Sequence, residues 1–223
     1  MTARNLLLGA MMFAALNVTT NAQAGRHARA ADAPGRFDYY AVALSWSPAF
    51  CATHDDPGQC APGRQNGFVL HGLWPQYAKG YPQECSTERL QARERDKYAA
   101  LYPSAGMIEH EWRKHGTCSG LNPAAYFDLS ARLRDQIAIP APYQRPVQPV
   151  RTSYGQFVQA FRAANPRLAD NAVLPFCGSG GKFLSEIHVC YDKGGNSSGC
   201  GASEMQRSAN TCRQATFVLQ GAR

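Results

Sequence analysis

Four stretches of the chain are dense in apolar, aromatic and branched residues, a pattern that is typical of β-strands. They are residues 38–46 (DYYAVALSW), 67–71 (GFVLH), 183–191 (FLSEIHVCY) and 216–220. We expect the second of these strands to end at Gly72. Residues 51–67, which separate the first two strands, are rich in Pro, Gly, Asp and Gln and predict a loop. Strands are therefore expected near both ends of the chain.

Four further stretches predict helices, because they carry apolar residues at helical spacing or begin with a capping residue. They are residues 86–101, 109–115, 122–137 and 153–164. Asn122 followed by Pro123 places a cap before a proline at the first helical position. A stiff, proline-rich connector covers residues 138–150. No internal repeat is present, and the mixture of strands and helices predicts one α+β domain.

The N-terminus has the three features of a secretory signal peptide. Arg4 precedes a short apolar run, and Ala22-Gln23-Ala24 supplies the small residues of a cleavage site. A buried N-terminal helix is the alternative interpretation. We expect residues 1–24 to be removed and residues 25–223 to form a single exported domain that begins with a loose arm over residues 25–36. The destination is the periplasm or the outside of the cell.

Composition adds a basic surface and an oxidising compartment to this picture. The chain has 23 Lys and Arg against 16 Asp and Glu, which gives a net charge of +7 and favours polyanionic partners. Eight cysteines in an exported chain predict four disulfides, although eight cysteines allow about 105 connectivities. The C-x-x-C spacing of zinc sites is absent from the sequence.

Two short segments concentrate the chemistry: residues 68–75 (FVLHGLWP) and residues 110–118 (HEWRKHGTC). The second resembles the H-E-x-x-H signature of zinc proteases but reads H-E-x-x-x-H. On a helix this spacing turns His115 by about 140° from His110, away from a shared metal site. Arg113 and Lys114 would also repel a divalent ion. The spacing and the charges therefore argue against a metal site.

Without a metal site, the two segments still supply an acid, a base and cations. Two imidazoles titrate near neutral pH and can donate and accept protons in one reaction. Neighbouring cations can stabilise charge on a phosphoryl oxygen, and the aromatic residues offer faces on which bases stack. Without a metal to activate water, the available nucleophile is the ribose 2′-hydroxyl of the substrate. The residues thus favour a cyclising cleavage of RNA to which DNA would be inert.

Both segments resemble the signature segments of the ribonuclease T2 family, and residues 38–51 (DYYAVALSWSPAFC) resemble its first strand. The likeness extends from about residue 37 to residue 219. It implies an α+β fold with a central, mainly antiparallel sheet flanked by helices. It also implies a secreted or periplasmic endoribonuclease of low base specificity that needs no metal or other cofactor.

The resemblance assigns roles to the residues of the two segments. His115 matches the general base that takes the 2′-hydroxyl proton, and His71 matches the general acid that protonates the leaving 5′-oxygen. Glu111 and Lys114 match residues that stabilise the phosphorane, and His110 matches a phosphate contact.

The base-binding residues follow from the same likeness. Trp74 matches the aromatic residue of the first base site, and we expect Gln76 and Tyr77 to contribute to substrate binding. Some fungal members carry an acidic residue that reads adenine where this chain has Gln76. An adenine preference is therefore not expected from this position.

The resemblance also implies a disulfide pattern. The family pattern suggests Cys85–Cys118 and Cys177–Cys212, and nesting then suggests Cys190–Cys200 and Cys51–Cys60. The expected partner is single-stranded RNA, which the protein would bind as a monomer without a metal ion or a membrane. The alternatives are a catalytically inactive relative that binds RNA or signals to cells, and a basic secreted inhibitor domain held by disulfides.

Overall fold

A computed structural model of the protein describes residues 32–222, which fold around one six-stranded sheet flanked by helices. The strands are β1 (Tyr39–Trp46), β2 (Phe68–Gln76), β3 (Val150–Thr152), β4 (Val173–Gly178), β5 (Phe183–Tyr191) and β6 (Phe217–Leu219). The helices are α1 (Ser47–Cys51), α2 (Pro57–Cys60), α3 (Ala92–Tyr98), α4 (Met107–Lys114), α5 (Pro123–Asp135), α6 (Tyr154–Ala164) and α7 (Ala202–Thr211). Single 3₁₀ turns occupy Ala99–Leu101, Gly116–Cys118, Ala141–Tyr143 and Ser179–Gly181.

The sheet has the order β2-β1-β5-β6-β3, and β4 pairs with β5. All of these pairings are antiparallel except the short contact between β5 and β6. The centre of the sheet is β5, which lies between β1 and β4 and brings residues distant in the sequence side by side. The predicted α+β class with a mainly antiparallel sheet is therefore confirmed.

The two faces of the sheet are covered unequally. The larger core packs beneath the aromatic side chains of α5 and α6, including Phe127, Phe157 and Phe161, which are fully buried. A smaller cluster on the opposite face contains Leu174 and Phe176. Successive side chains of a strand point to opposite faces of the sheet. Polar residues that alternate along a strand with residues of the larger core must therefore lie on this second face.

Two predicted helices begin where their capping residues indicate. The Asn122 side chain accepts a hydrogen bond from the Ala125 amide at the start of α5. Ser153 and Gln156 form a reciprocal capping box at the start of α6. Both caps satisfy backbone amides that the first helical turn leaves unpaired, which explains why these boundaries could be predicted locally.

Other boundaries differ from the prediction. The helix expected from residue 86 begins only at Ala92, because the indole of Trp112 donates to the carbonyl of Glu88 and holds the preceding segment extended. The second strand does not end at Gly72 but continues to Gln76. The pattern also missed β3, β4 and α7, and the expected loop at 51–67 contains the short helix α2.

Four disulfides close the described chain, and their pairs are those expected from the family pattern and from nesting. They are Cys51–Cys60, Cys85–Cys118, Cys177–Cys212 and Cys190–Cys200. Cys85–Cys118 ties the loop after β2 to the turn that follows α4. Cys177–Cys212 ties β4 to the end of α7. Both therefore brace elements that carry site residues.

The predicted signal peptide and most of the predicted arm, residues 1–31, lie outside the described residues. The last part of the arm is not loose. The Asp32 carboxylate accepts hydrogen bonds from the Tyr77 hydroxyl and the Gln83 amide, and the Gly35 amide donates to the Cys118 carbonyl. Among residues 32–222, no helix is long and apolar enough to cross a membrane.

Candidate active site

His71 occupies an irregular position in β2. In the pairing with β1, Gly72 lies opposite Ala43 and Leu70 lies opposite Leu44, so His71 is the extra residue of a β-bulge. A bulge bends its strand and redirects the side chain of the extra residue. The bulge thus leaves the imidazole half-buried, with 35% of its side chain exposed.

Gly72 allows helix α4 to approach the bulge closely. A Cβ atom at this position would lie 1.9 Å from Oε2 of Glu111 and 2.4 Å from Nε1 of Trp74. Any side chain would therefore displace the carboxyl group of Glu111. The glycine in the first signature segment is needed for this contact with the second segment.

The polar residues of the second segment share one face of α4. His110, Lys114, Glu111 and His115 fall within an arc of about 140° at 100° per residue. Glu111 is fully buried, Lys114 is half-buried and His110 is exposed. The face thus runs from the interior of the protein to solvent, as a site that binds a charged ligand requires.

His115 stands at the end of α4, where the helix tightens into a 3₁₀ turn. Its amide donates to the Glu111 carbonyl, and its own carbonyl accepts from the Cys118 amide. A Cβ atom on Gly116 would lie 2.3 Å from the Trp112 ring, so the turn passes directly over that side chain. The turn and the Cys85–Cys118 bridge fix the backbone position from which the His115 ring projects.

Trp74 joins the two signature segments. The His71 ring meets it edge-on with ring centres 4.8 Å apart, and the His115 ring stacks on it at 5.1 Å. The indole Nε1 donates a 2.9 Å hydrogen bond to Oε2 of Glu111. Oε1 of Glu111 lies 4.0 Å from Nε2 of His71. The structure therefore brings both predicted catalytic histidines and Glu111 to one indole.

Carboxylates surround His71. Its Nδ1 donates a 2.7 Å hydrogen bond to Oε2 of Glu186 on β5, and the Ser45 hydroxyl lies 3.2 Å from the same nitrogen. Burial lowers the pKa of His71, but the hydrogen bond and charge of Glu186 and the charge of Glu111 outweigh it and raise the pKa above 6.5. The ring therefore holds its proton more tightly than an ordinary histidine side chain does.

Glu111 is buried beside this ring and carries an unusual proton affinity. Burial raises its pKa to about 7, against the opposing effects of His71 and of the Trp74 hydrogen bond. Its Oε1 has no hydrogen-bond partner among the described residues. An unpaired buried oxygen is costly, so this atom is poised to meet a polar group of a ligand.

His115 experiences the reverse of the surroundings of His71. The residue is only 3% exposed, and its Nδ1 has no hydrogen-bond partner in the described part of the chain. Burial, with the charges of Lys114 and of the neighbouring histidines, lowers its pKa to about 2. Burial and the charges of Lys114 and Arg113 also lower the pKa of His110. Both rings are therefore neutral near pH 7.

Two predicted base-site residues lie away from this centre. Gln76 is buried at the end of β2 opposite Tyr39, and the Tyr77 hydroxyl donates to Asp32. Tyr81, which the sequence did not single out, is nearer: its ring lies 5.9 Å from that of His115 and is 41% exposed. An aromatic residue in a Gly- and Pro-containing loop after the first signature was the available signal.

Glu186 and His188 were also missed as site residues. They belong to the strand predicted over residues 183–191, where they alternate with the buried apolar residues Ile187 and Val189. A glutamate and a histidine at alternate positions of a strand with a buried apolar face were a signal for a polar cluster. The residue that they would meet could not be read from the strand itself.

The arrangement joins an imidazole of raised pKa, an imidazole of lowered pKa, a buried carboxyl group and a lysine at one aromatic surface. These groups can move two protons and stabilise negative charge in one reaction. Among residues 32–222, no group of three or more His, Cys, Asp or Glu side chains is placed to hold a metal ion.

Comparison with known proteins finds relatives in sequence and, separately, solved structures of similar fold. The model of the Ribonuclease T2 family matches residues 37–200. A ribonuclease of Aeromonas hydrophila is 40% identical over 199 residues, which are 85% of this chain and 88% of that protein. A probable ribonuclease of Haemophilus influenzae is 30% identical over 174 residues, which are 70% of this chain and 58% of that protein.

Two solved plant structures have the same fold. Ribonuclease MC1 from bitter gourd seeds superimposes with a TM-score of 0.61 at 20% identity over 81% of this chain and 99% of its own. An RNase-related protein from Calystegia sepium gives a TM-score of 0.65 at 20% identity over 84% and 98%. The family match covers both signature segments and most of the described chain. This chain is therefore a member of the ribonuclease T2 family.

Proposed function

We propose that the protein is an endoribonuclease that cleaves single-stranded RNA through a 2′,3′-cyclic phosphate without a metal ion. One observation carries the proposal: His71 and His115, from separate segments, both lie against Trp74, and their surroundings favour opposite protonation states. Such a pair supplies the acid and the base that transphosphorylation needs. The ribonucleases of Aeromonas and Haemophilus support the same substrate class.

The first step transfers the phosphoryl group within the substrate. Neutral His115 takes the proton of the ribose 2′-hydroxyl as the bond from O2′ to phosphorus forms. The bond from phosphorus to O5′ breaks, and His71 gives its proton to the departing O5′. In the second step His71 takes a proton from water, the water oxygen bonds to phosphorus, the bond to O2′ breaks, and His115 returns its proton to O2′.

Glu111, Lys114 and His110 stabilise the phosphorane in this proposal. An ionised Glu111 would repel the phosphoryl oxygens, but a pKa of about 7 leaves part of the population protonated at neutral pH. The protonated carboxyl group can donate a hydrogen bond to a non-bridging oxygen. Lys114 supplies a positive charge on the same face of α4, and His110 contacts the phosphate at its exposed end.

The low proton affinity of His115 suits a group that must be neutral when substrate arrives. A bound phosphodiester places negative charge beside the ring and opposes the effects of burial and of Lys114. Substrate binding therefore raises the basicity of His115 at the moment when it is needed.

Base binding in this proposal relies on aromatic stacking. Trp74 is half-buried and Tyr81 is exposed, and both contact the His115 ring. A base reaches such surfaces only when it is unstacked, which favours single strands, and stacking tolerates every base. Gln76 and Tyr77 are the proposed polar contributors, which the substrate would reach beyond the catalytic centre.

The cellular setting is proposed on the same footing. Four disulfides persist in oxidising compartments, which supports export to the periplasm or beyond the cell. Residues 1–24 would serve as the signal peptide, and residues 25–223 would act as one monomeric domain.

The dinucleotide ApU tests the proposal directly. Purified protein with ApU and EDTA should release uridine and adenosine 2′,3′-cyclic phosphate, whereas the 2′-deoxy analogue should stay intact. Inhibition by EDTA would show that a metal takes part. Binding of ApU without any cleavage would instead identify an inactive RNA-binding relative.

A further inference from the structure

His188 lies buried between two carboxylates behind the catalytic centre. It is 0% exposed on β5, its Nε2 is 2.8 Å from Oε1 of Glu186, and its Nδ1 is 2.6 Å from Oε1 of Glu204 on α7. An ionised carboxylate only accepts hydrogen bonds, so both ring nitrogens must donate. The hydrogen bonds therefore describe His188 as an imidazolium cation.

The cluster continues at both ends. Glu204 also accepts hydrogen bonds from Nη2 of Arg207 at 2.5 Å and from its Nε at 3.2 Å. At the other end, Oε2 of Glu186 accepts from Nδ1 of His71. The two carboxylates are thus balanced by two cations before His71 binds its proton. Buried charges persist only when they are paired in this way.

The contact with Glu186 orients His71 for catalysis. A carboxylate at Nδ1 keeps the proton on that nitrogen and leaves Nε2 to exchange protons with the substrate. Nε2 is the nitrogen that lies 4.0 Å from Oε1 of Glu111, on the side of the catalytic centre. The Ser45 hydroxyl on β1 lies 3.5 Å from Oε2 of Glu186 and 3.2 Å from Nδ1 of His71, so it contacts both partners of this hydrogen bond.

We infer that Glu186 is a positioning residue for His71, and that the His188 cation, held by Glu204, limits how tightly Glu186 retains the His71 proton. The inference rests on the proposed role of His71 as general acid. It assigns a role in catalysis to Glu186 and His188 on β5 and to Glu204 on α7, which lie outside both signature segments.

The two parts of the cluster act on His71 in opposite directions. The hydrogen bond and charge of Glu186 raise the pKa of His71, whereas the charge of His188 lowers it. The titratable and charged groups that face His71 come from β5 and from the α4 segment. They are Glu186, His188, Glu111, His110 and His115.

Paired variants separate these effects. Glu186→Gln keeps a hydrogen-bonding side chain but removes the charge, and His188 retains Glu204 as its partner. His188→Gln removes the cation, and Glu204 retains Arg207. Glu109→Gln and His54→Gln are matched controls, since Glu109 pairs with Arg95 and His54 is exposed against Phe50.

We expect Glu186→Gln to lower kcat for ApU by about 10- to 100-fold, the range seen when a carboxylate that orients a metal-bound histidine is lost, with KM little changed. Activity needs protonated His71, so the alkaline limb of the pH profile should move to lower pH. His188→Gln should move that limb to higher pH. The inference would be overturned if the alkaline limbs of the two variants coincided with that of the wild type, or if both moved in the same direction.

A substrate with an activated leaving group tells positioning from general damage. A uridine 3′-(4-nitrophenyl phosphate) ester expels a stable phenolate that needs no proton, so the Glu186→Gln defect should shrink to a few-fold. An equal defect on both substrates would show a structural role only. Wild-type protein that fails to cyclise ApU would refute the proposed function itself, whereas active wild type with an unaffected variant refutes only this inference.

Nitrogen-15 NMR of the wild-type protein provides a measurement that needs neither Glu186→Gln nor His188→Gln to fold. With signals assigned by comparison with His54→Gln and His71→Ala, neutral His71 should carry its proton on Nδ1. His188 should remain doubly protonated from about pH 5 to pH 8, well across the ordinary range of histidine. A neutral His188, or a His71 proton on Nε2, would contradict the inference even if both glutamine variants failed to fold.

Discussion

The two histidines against Trp74 lie in opposite electrostatic surroundings. His71 faces the carboxyl groups of Glu186 and Glu111, which raise its pKa above the ordinary value despite burial. His115 is buried next to Lys114, and its pKa is lowered to about 2. Identical side chains thus acquire different proton affinities from the elements that hold them. In the proposed mechanism this difference, rather than the residue type, divides the acid and base roles.

The two rings are also held by different forces. Hydrogen bonding from Nδ1 to Glu186 fixes the orientation of His71 on its β-bulge. His115 has no partner for its Nδ1 among the described residues and is held by stacking on Trp74 and by the turn that ends α4. Directional bonding keeps an acid aimed at one atom. Packing alone lets a base respond when substrate changes the surrounding charge.

The test with the largest expected effect removes one of the two imidazole rings at a time. His71→Ala and His115→Ala should each reduce cyclisation of ApU by about 10²- to 10⁴-fold, the usual contribution of a general acid or base. On the 4-nitrophenyl ester, His71→Ala should recover most of its activity because the leaving group needs no proton. His115→Ala should not recover, since the 2′-hydroxyl still has to lose one.

His54→Ala is the matched control for this pair, because His54 is exposed on the surface against Phe50. Its activity should equal that of the wild type on both substrates. Recovery of His115→Ala on the activated ester, with no recovery of His71→Ala, would mean that the two roles are exchanged.

A pH profile should show the same asymmetry with a smaller effect. In the proposed mechanism His71 acts in its protonated form, so kcat/KM should fall as the pH rises through its raised pKa. Loss of the Glu111 proton near pH 7 should contribute to the same limb. As the proposed general base, His115 acts in its neutral form and, with a pKa of about 2, should cause no loss of kcat/KM at mildly acidic pH.

The limbs of kcat/KM and kcat should also differ, since the first reports the free enzyme and the second the substrate complex. Bound phosphate raises the basicity of His115, so the acid limb of kcat should lie at higher pH than that of kcat/KM. An acid limb of kcat/KM near pH 6 would show that His115 titrates as an ordinary histidine and would remove the contrast with His71.

The sequence predicted those parts of the molecule that short-range patterns determine. The caps at Asn122 and Ser153 located two helices, and the apolar run of β5 located the central strand. Pro175 interrupts the pattern of β4, and α7 is largely polar, so neither element stood out. Both contribute side chains to the smaller cluster on the second face of the sheet: Leu174 and Phe176 from β4, and Met205 from α7.

Prediction of the site from the sequence has the same limit: only features encoded in short segments could be identified. Residues of the signature segments could be named from motifs, and His71, Glu111 and His115 do meet at Trp74. The contact of His71 with Glu186 could not be predicted, because it depends on the register that places Ser45 opposite Glu186 and on the bulge in β2. Pairing between distant strands is a property of the folded sheet rather than of any local sequence.

Trp74 offers the finest test of the comparison because it touches both rings. Trp74→Phe keeps an aromatic face for His115 but removes the 2.9 Å hydrogen bond from the indole to Glu111. That hydrogen bond lowers the pKa of Glu111, so its loss should raise that pKa further and shift the Glu111 part of the alkaline limb to higher pH. We expect kcat for ApU to change by about tenfold or less, a loss consistent with one ordinary hydrogen bond.

Trp74→Ala is the informative companion, since it removes the stacking surface as well. If packing alone holds His115, Trp74→Ala should lose far more activity than Trp74→Phe and should lose it on the 4-nitrophenyl ester too, as His115→Ala does. Equal losses in the two variants would show that the indole acts only through Glu111. In that case the turn at Gly116–Cys118 alone would hold the His115 ring, and stacking on Trp74 would have no part in the contrast with His71.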